Sequence, residues 1–302
     1  MSHPNFRSAF LILGLVLPSP LSFAAESVSV SESASAPVAA GAGDQANELA
    51  KQLANPVAAL ISVPLQNNFD FGIGEGDGWR YTLNIQPVVP VSIAEDWNLI
   101  SRTILPVMHQ QDVIGSSTQS GLGDTVQSLF LSPKKPSSGG WIWGAGPVLL
   151  LPTATDDRLG TEKWGAGPTG VALKQDGPWT YGILANHLWS YAGEEGRADV
   201  NATFLQPFVT YAFGRGQTVT VLSENTYDWD NSQWSVPLGL TYARVTKVGS
   251  QLVSFGVGSK VYVDGPSGGP EWGLRLVVTL LFPKCRNFVG PVGHCGGDGG
   301  LE

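Results

Sequence analysis

Few residues in this chain have the types and spacing for covalent chemistry. Three histidines follow the N-terminal segment: His109, His187 and His294. Nucleophilic hydrolysis would need one of them oriented by a carboxylate or amide. His187 follows Asn186, but chain neighbours on a strand face opposite sides. No serine stands in a recognisable nucleophile motif. His187 therefore reads as a satisfied or interfacial histidine, and His109 as a solvated loop residue. Asp156 and Asp157 offer too few carboxylates for a defined calcium site. Zinc would need four ligands, and Cys285, His294 and Cys295 make three. The two cysteines suit a disulfide in an oxidising compartment, closing a short loop worth roughly 3 kcal/mol at most. No metal, cofactor or catalytic residue is expected.

A larger polar set recurs at every second position. It comprises Gln66, Asn68, Asp70, Arg80, Asn84, Gln86, Glu224, Thr226, Asp228, Lys260, Asp264 and Arg275. Each lies opposite an apolar stripe, as alternate residues of a strand do. Both charge signs are present, so a single-sign ion filter is not expected. The set fits either a solute path or ion pairs that fill a narrow lumen.

The elements that must hold these residues are strands. In Trp272–Phe282, Trp272, Leu274, Leu276, Val278, Leu280 and Phe282 share one face, and Arg275 lies on the other. About ten residues with aromatics at both ends match a tilted strand crossing a bilayer. Similar runs recur from Val57 onward. Most span about 10–14 residues, against the roughly 5–6 usual in soluble sheets. They predict an all-β fold over 57–282: a closed antiparallel transmembrane β-barrel of about twelve strands. Segments 72–78, 109–121, 152–163, 192–199, 229–233 and 265–270 read as the long loops, and those between them as short turns. Prolines inside the runs, such as Pro64, Pro87, Pro147 and Pro237, predict kinks or strand ends. The sequence Trp-Gly-Ala-Gly-Pro occurs at 143–147 and again at 164–168, and reads as strand bending that helps close the barrel.

The N-terminus fits such a location. Residues 1–24 have the layout of a cleaved signal peptide: Arg7, an apolar run Phe10–Leu17, then small residues at Ser22 and Ala24. Residues 25–44 read as a flexible leader. Residues 45–56 have helical spacing, with Asp44 as cap and Asn55-Pro56 as stop. This short amphipathic helix reads first as a periplasmic stub or interfacial helix, and alternatively as a plug in the barrel mouth. Residues 283–302 form a Gly-rich tail with the two cysteines. Without Arg7 the remaining chain has 16 basic against 25 acidic residues (17 − 1 = 16), a net charge of −9. That excludes a phosphate-binding, nucleic-acid role.

Several stretches resemble the phenol meta-pathway degradation family of Gram-negative outer-membrane proteins, often labelled transporters. They are Leu49–Pro56 leading into Val63–Asp70, Gly78–Pro87, Gly121-Leu-Gly-Asp124, Leu151–Asp156 and Gln233–Pro237. The likeness runs from about Leu49 to Lys284 and departs in the tail. It implies an outer-membrane barrel handling small aromatic or hydrophobic compounds, and no binding residues transfer with it. The expected function is therefore a channel or transporter for small aromatic or weakly polar solutes. Its expected partners are outer-membrane lipid, the solute, and the barrel-assembly machinery acting on strand 272–282. The alternatives are a structural or adhesive barrel with a filled lumen and, last, a barrel lipid hydrolase.

Overall fold

A computed structural model of the chain describes residues 38–282, with side chains from Asp44 onward. The predicted signal peptide, most of the leader, and the tail with Cys285, His294 and Cys295 lie outside the described residues.

One helix, α1 (Val38–Leu53), precedes fifteen strand segments. These are β1 (Ile61–Ile73), β2 (Gly78–Ile85), β3 (Val88–Ser92), β4 (Trp97–Gln111), β5 (Thr118–Leu122), β6 (Thr125–Pro133), β7 (Trp141–Leu151) and β8 (Lys163–Asp176). Then come β9 (Trp179–Gly193), β10 (Asn201–Gly214), β11 (Gln217–Ser223), β12 (Asn225–Asp228), β13 (Gln233–Val248), β14 (Gln251–Asp264) and β15 (Trp272–Phe282). Three pairs are single strands broken once: β2 with β3, β5 with β6, and β11 with β12. The result is a closed antiparallel barrel of twelve strands. β1 pairs with β15, and β10 with β9, so the ring has no free edge. Pro87 falls in the first break, and Pro237 at a register shift between β13 and β14, where a missing N–H is tolerated.

The burial alternation separates two faces. Trp189 is 50% exposed, Leu276 48% and Phe255 47%, all on the outer wall. So large and continuous an apolar surface suits lipid rather than water. Aromatics gather at both rims. Trp97 packs on Trp143 (5.9 Å) and Trp179 on Tyr211 (4.7 Å) at the short-turn rim. Phe71 stacks on Trp272 (4.5 Å) and Tyr227 on Trp234 (4.8 Å) at the long-loop rim. Such belts match headgroup level.

The loop expected at 109–121 differs from expectation. These residues are mostly ladder, because β4 runs to Gln111 and β5 begins at Thr118. His109 is therefore a strand residue, not a loop residue. The polar runs at both ends satisfy their backbone groups across the pair, which polarity alone does not reveal.

The helix also differs. It begins at Val38, before the predicted 45–56, and Asp44 lies inside it rather than capping it. Three alanines within 39–42 favour helix, so the element extends back past Asp44. Nor is it a free stub. Leu49 and Ala50 are buried with Ala58, Leu60, Val245 and Leu281. Asn47 accepts from the Gly216 N–H (2.6 Å), and Gln175 donates to the Lys51 carbonyl (2.9 Å). The helix thus lies across the short-turn mouth of the barrel. The segment after it enters the lumen, where Val57 is buried among Ile100, Phe130, Leu173, Leu184 and Phe208. Gly144 leaves the room, since a Cβ there would stand 3.1 Å from Val57 Cγ1 and 3.3 Å from Phe130 Cβ. These apolar side chains form a floor inside the barrel.

Candidate functional site: a lumenal chamber

Above the floor lies a chamber of 680 Å³. Its two sides differ in chemistry. β1, β2, β12, β14 and β15 contribute Gln66, Asn68, Asp70, Asn84, Thr226, Lys260 and Arg275. β4, β6, β9 and β10 contribute Ile104, Val126, Leu188 and Phe204 together with Arg102, Ser128, Asn186 and Gln206. Gln86 and Glu224, at the strand breaks, complete the polar side. Nine of the twelve residues expected from alternation thus converge here.

The charges are paired across strands far apart in the chain. Arg275 meets Glu224 through two donors, Nη2 to Oε2 at 2.6 Å and Nη1 to Oε1 at 3.2 Å. Its Nε donates to Asn68 at 2.8 Å. Lys260 pairs with Asp70 at 2.8 Å, and Tyr262 donates to the same carboxylate at 3.1 Å. A bidentate arginine–carboxylate pair is both strong and directional. The Gln66 and Gln86 amides meet at 2.8 Å, and Arg102 Nη2 donates to Gln86 Oε1 at 3.0 Å.

Three expected residues lie elsewhere. Arg80 is not in the chamber wall. It donates to Gln110 Oε1 at 2.8 Å, in a buried chain that continues through Gln119 at 2.8 Å. Asp228 does not line the chamber, although its register partner Ala202 does. Its carboxylate accepts from the N–H groups of Asp230 and Asn231, both at 3.0 Å, and so closes the turn after β12. Aspartate at a strand end competes for local backbone donors, so its carboxylate is taken up by its own turn. Asp264 is exposed at the end of β14. Arg102 and Tyr262 are missing from the expected set. Their signal was in the sequence, since Asn98, Ile100, Arg102 and Ile104 are in step, and so are Lys260 and Tyr262.

A second cavity of 160 Å³ lies toward the helix, between Gln52, Leu53 and Pro56 and the barrel wall. It shares Gln86, Arg102 and Gln206 with the chamber. Those three residues form the neck between the two spaces.

At the other rim, the loop 152–162 turns inward. Leu159 is buried at 7% exposure. It occupies space left by Gly121, where a Cβ would stand 3.3 Å from Leu159 Cδ1. Asp124 holds the loop, accepting from Ala154 N (3.2 Å), Thr161 N (2.6 Å) and Thr161 Oγ1 (2.7 Å). Arg197 clamps it from the next loop, with Nε on Glu162 at 3.1 Å and Nη2 on the Asp157 and Gly160 carbonyls. Two Arg158 donors at 2.8 and 2.9 Å hold the Asp156 carboxyl well below its usual range, at about 2. Asp156 is thus committed to Arg158.

The histidines sit on the outer wall. His187 Nδ1 meets Thr203 at 2.7 Å, its Nε2 is buried without a partner, and its ring packs on Trp189. His109 Nδ1 meets Ser120 Oγ at 2.6 Å, a pairing that only cross-strand register creates. Among the described residues, neither ring is held by a carboxylate or amide, as a hydrolytic triad requires.

No family model matches the chain, and no curated protein matches it by sequence. Solved structures do. An outer membrane channel of Pseudomonas putida F1 superposes with a TM-score of 0.60 at 15% identity, over 74% of this chain and 96% of that one. The KdgM porin in complex with disordered oligogalacturonate aligns with a TM-score of 0.44 at 10% identity, over 74% and 99%. Outer membrane phospholipase A from Escherichia coli aligns with 0.45 at 10%, over 73% and 90%. At such identity the likeness to the Pseudomonas protein speaks of the fold alone.

Proposed function

We propose that this chain is an outer-membrane channel for small aromatic or weakly polar solutes. In this reading it is exported through signal peptide 1–24, inserted by the assembly machinery through strand 272–282, and related to the phenol meta-pathway family. The observation that carries it is the chamber. Its 680 Å³ falls within the range of small-molecule sites, roughly 300–1,000 Å³. One side is polar and largely self-neutralised, and the other mixes apolar side chains with Arg102, Ser128, Asn186 and Gln206. A weakly polar solute loses little hydration on entering, whereas a small strong electrolyte loses much. The likeness in fold to an outer membrane channel supports the same reading.

The test is liposome swelling with the purified barrel. Phenol-like solutes should enter faster than sugars and salts of similar size. Equal rates for all would refute the solute preference, and no flux at all would refute the channel and favour a lumen filled for structural reasons. A structural or adhesive barrel is the second reading and a lipid hydrolase the last, for which the His109–Ser120 pair on the outer wall is the specific feature. Lipid turnover abolished by Ser120→Ala would establish it.

A further inference from the structure

Arg102 differs from the other cations of the chamber. Arg275 and Lys260 each have a carboxylate partner within 4.0 Å. Among the described residues, no carboxylate comes that close to Arg102. The chamber wall holds three cations (Arg102, Lys260, Arg275) and two anions (Asp70, Glu224), so it carries one uncompensated positive charge (3 − 2 = +1). That charge sits at the neck, in the walls of both cavities. A guanidinium presents five N–H donors in a fixed fork. Arg102 gives one hydrogen bond, to Gln86. Below it lie the apolar floor with Ile100 and Phe130 and the second cavity, whose wall includes Gln52, Asn55 and Ser62. Arg102 is half-buried, and a cation partly withdrawn from water gains from a partner.

We infer that Arg102 is a carboxylate-binding residue, and that the chamber takes amphipathic monoanions: an aromatic or short aliphatic body bearing one carboxylate. The planar fork of arginine fits a carboxylate with two parallel donors. The apolar body then lies along Ile104, Val126, Leu188 and Phe204, on the same side of the chamber as Arg102. One net positive charge matches one negative charge, so a dianion or a dicarboxylate would be overcharged there. Gln86 fixes the guanidinium without neutralising it, which leaves the remaining donors for the solute. The inference rests on the chamber being a solute site, and names the solute class.

The experiment compares 3-phenylpropanoate with its neutral analogue 3-phenylpropan-1-ol. Binding to the purified full-length barrel in detergent is measured by calorimetry at pH 7.5, and flux is measured separately in liposomes. The wild type should bind the carboxylate at least about tenfold more tightly than the alcohol, a difference of one decade in Kd. Arg102→Gln should bring the two within about twofold, since the carboxylate loses its charged hydrogen bonds. Arg102→Lys should fall between, because the charge remains and the fork is lost. Equal binding of both compounds by the wild type overturns the inference, and this arm needs no variant. So does an unchanged ratio in heat-modifiable Arg102→Gln. Tighter binding of phenyl phosphate than of the carboxylate also overturns it. A carboxylate preference in calorimetry with no flux of either compound would leave Arg102 assigned and defeat only the channel reading.

Discussion

Asp124 grips Thr161 twice through one oxygen, taking the backbone N–H at 2.6 Å and the hydroxyl at 2.7 Å. Its other oxygen takes Ala154 N at 3.2 Å. One carboxylate at the start of β6 therefore holds both ends of loop 152–162 against the inner wall. The Gly121-Leu-Gly-Asp124 stretch supplies both parts: glycine for the space, aspartate for the clasp.

Asp124→Ala should release that loop without unfolding the barrel. Three hydrogen bonds are lost, two of them to otherwise unpaired backbone donors, at about 1.5–3 kcal/mol each for bonds to a charged group. Single-channel recordings should show higher conductance with more open-channel noise. Heat-modifiable migration should persist. Unchanged conductance would mean the loop does not restrict the lumen.

The closing strand tests the two faces. Val278 lies on the outer face, with its neighbours Leu276 and Phe282 42–48% exposed there, and Val277 lines the chamber. Arginine facing lipid at mid-bilayer costs about 2–4 kcal/mol. Val278→Arg should therefore impair assembly, seen as loss of the heat-modifiable band. Val277→Arg should assemble far better.

The helix should act as a closure at the short-turn mouth. Leu49 is 4% exposed against Val245 and Leu281. Leu49→Asp forfeits about 1.5–3 kcal/mol of apolar burial and adds a charge that cannot stay there. The helix should unseat and conductance should rise, while strand content by circular dichroism stays constant.

The Asp156–Arg158 clip has a defined pH signature. The folded carboxyl titrates at about 2, below the ordinary 3.8. A depressed folded value means the contribution is fully present above the unfolded value and is lost as pH falls through the folded one. Protection of loop 152–162 from an acid protease should thus be flat above about pH 4, by the same linkage, and should fall toward pH 2. Arg158→Ala should return the Asp156 carboxyl, read by carbon NMR, to the ordinary range.

Much of this architecture was legible in the chain itself. Alternation with period two depends only on neighbours, so Leu276 against Arg275, or Gln66 against Leu65, is decided before any fold exists. The outer wall, the barrel class and most of the chamber's polar residues derive from that local rule. Tertiary structure decided what depends on register and on closure of the ring. Asn68 meets Arg275 from 207 positions away, and Tyr262 meets Asp70 from 192. No local pattern says that Arg275 finds a carboxylate while Arg102 does not, because partners are set by which strands lie side by side and at what offset. The same holds for Asp228, whose nearest donors are its own turn, and for α1, whose apolar face gives no hint of the mouth it covers. Local periodicity sorts side chains into inside and outside; only the closed ring determines which of them meet.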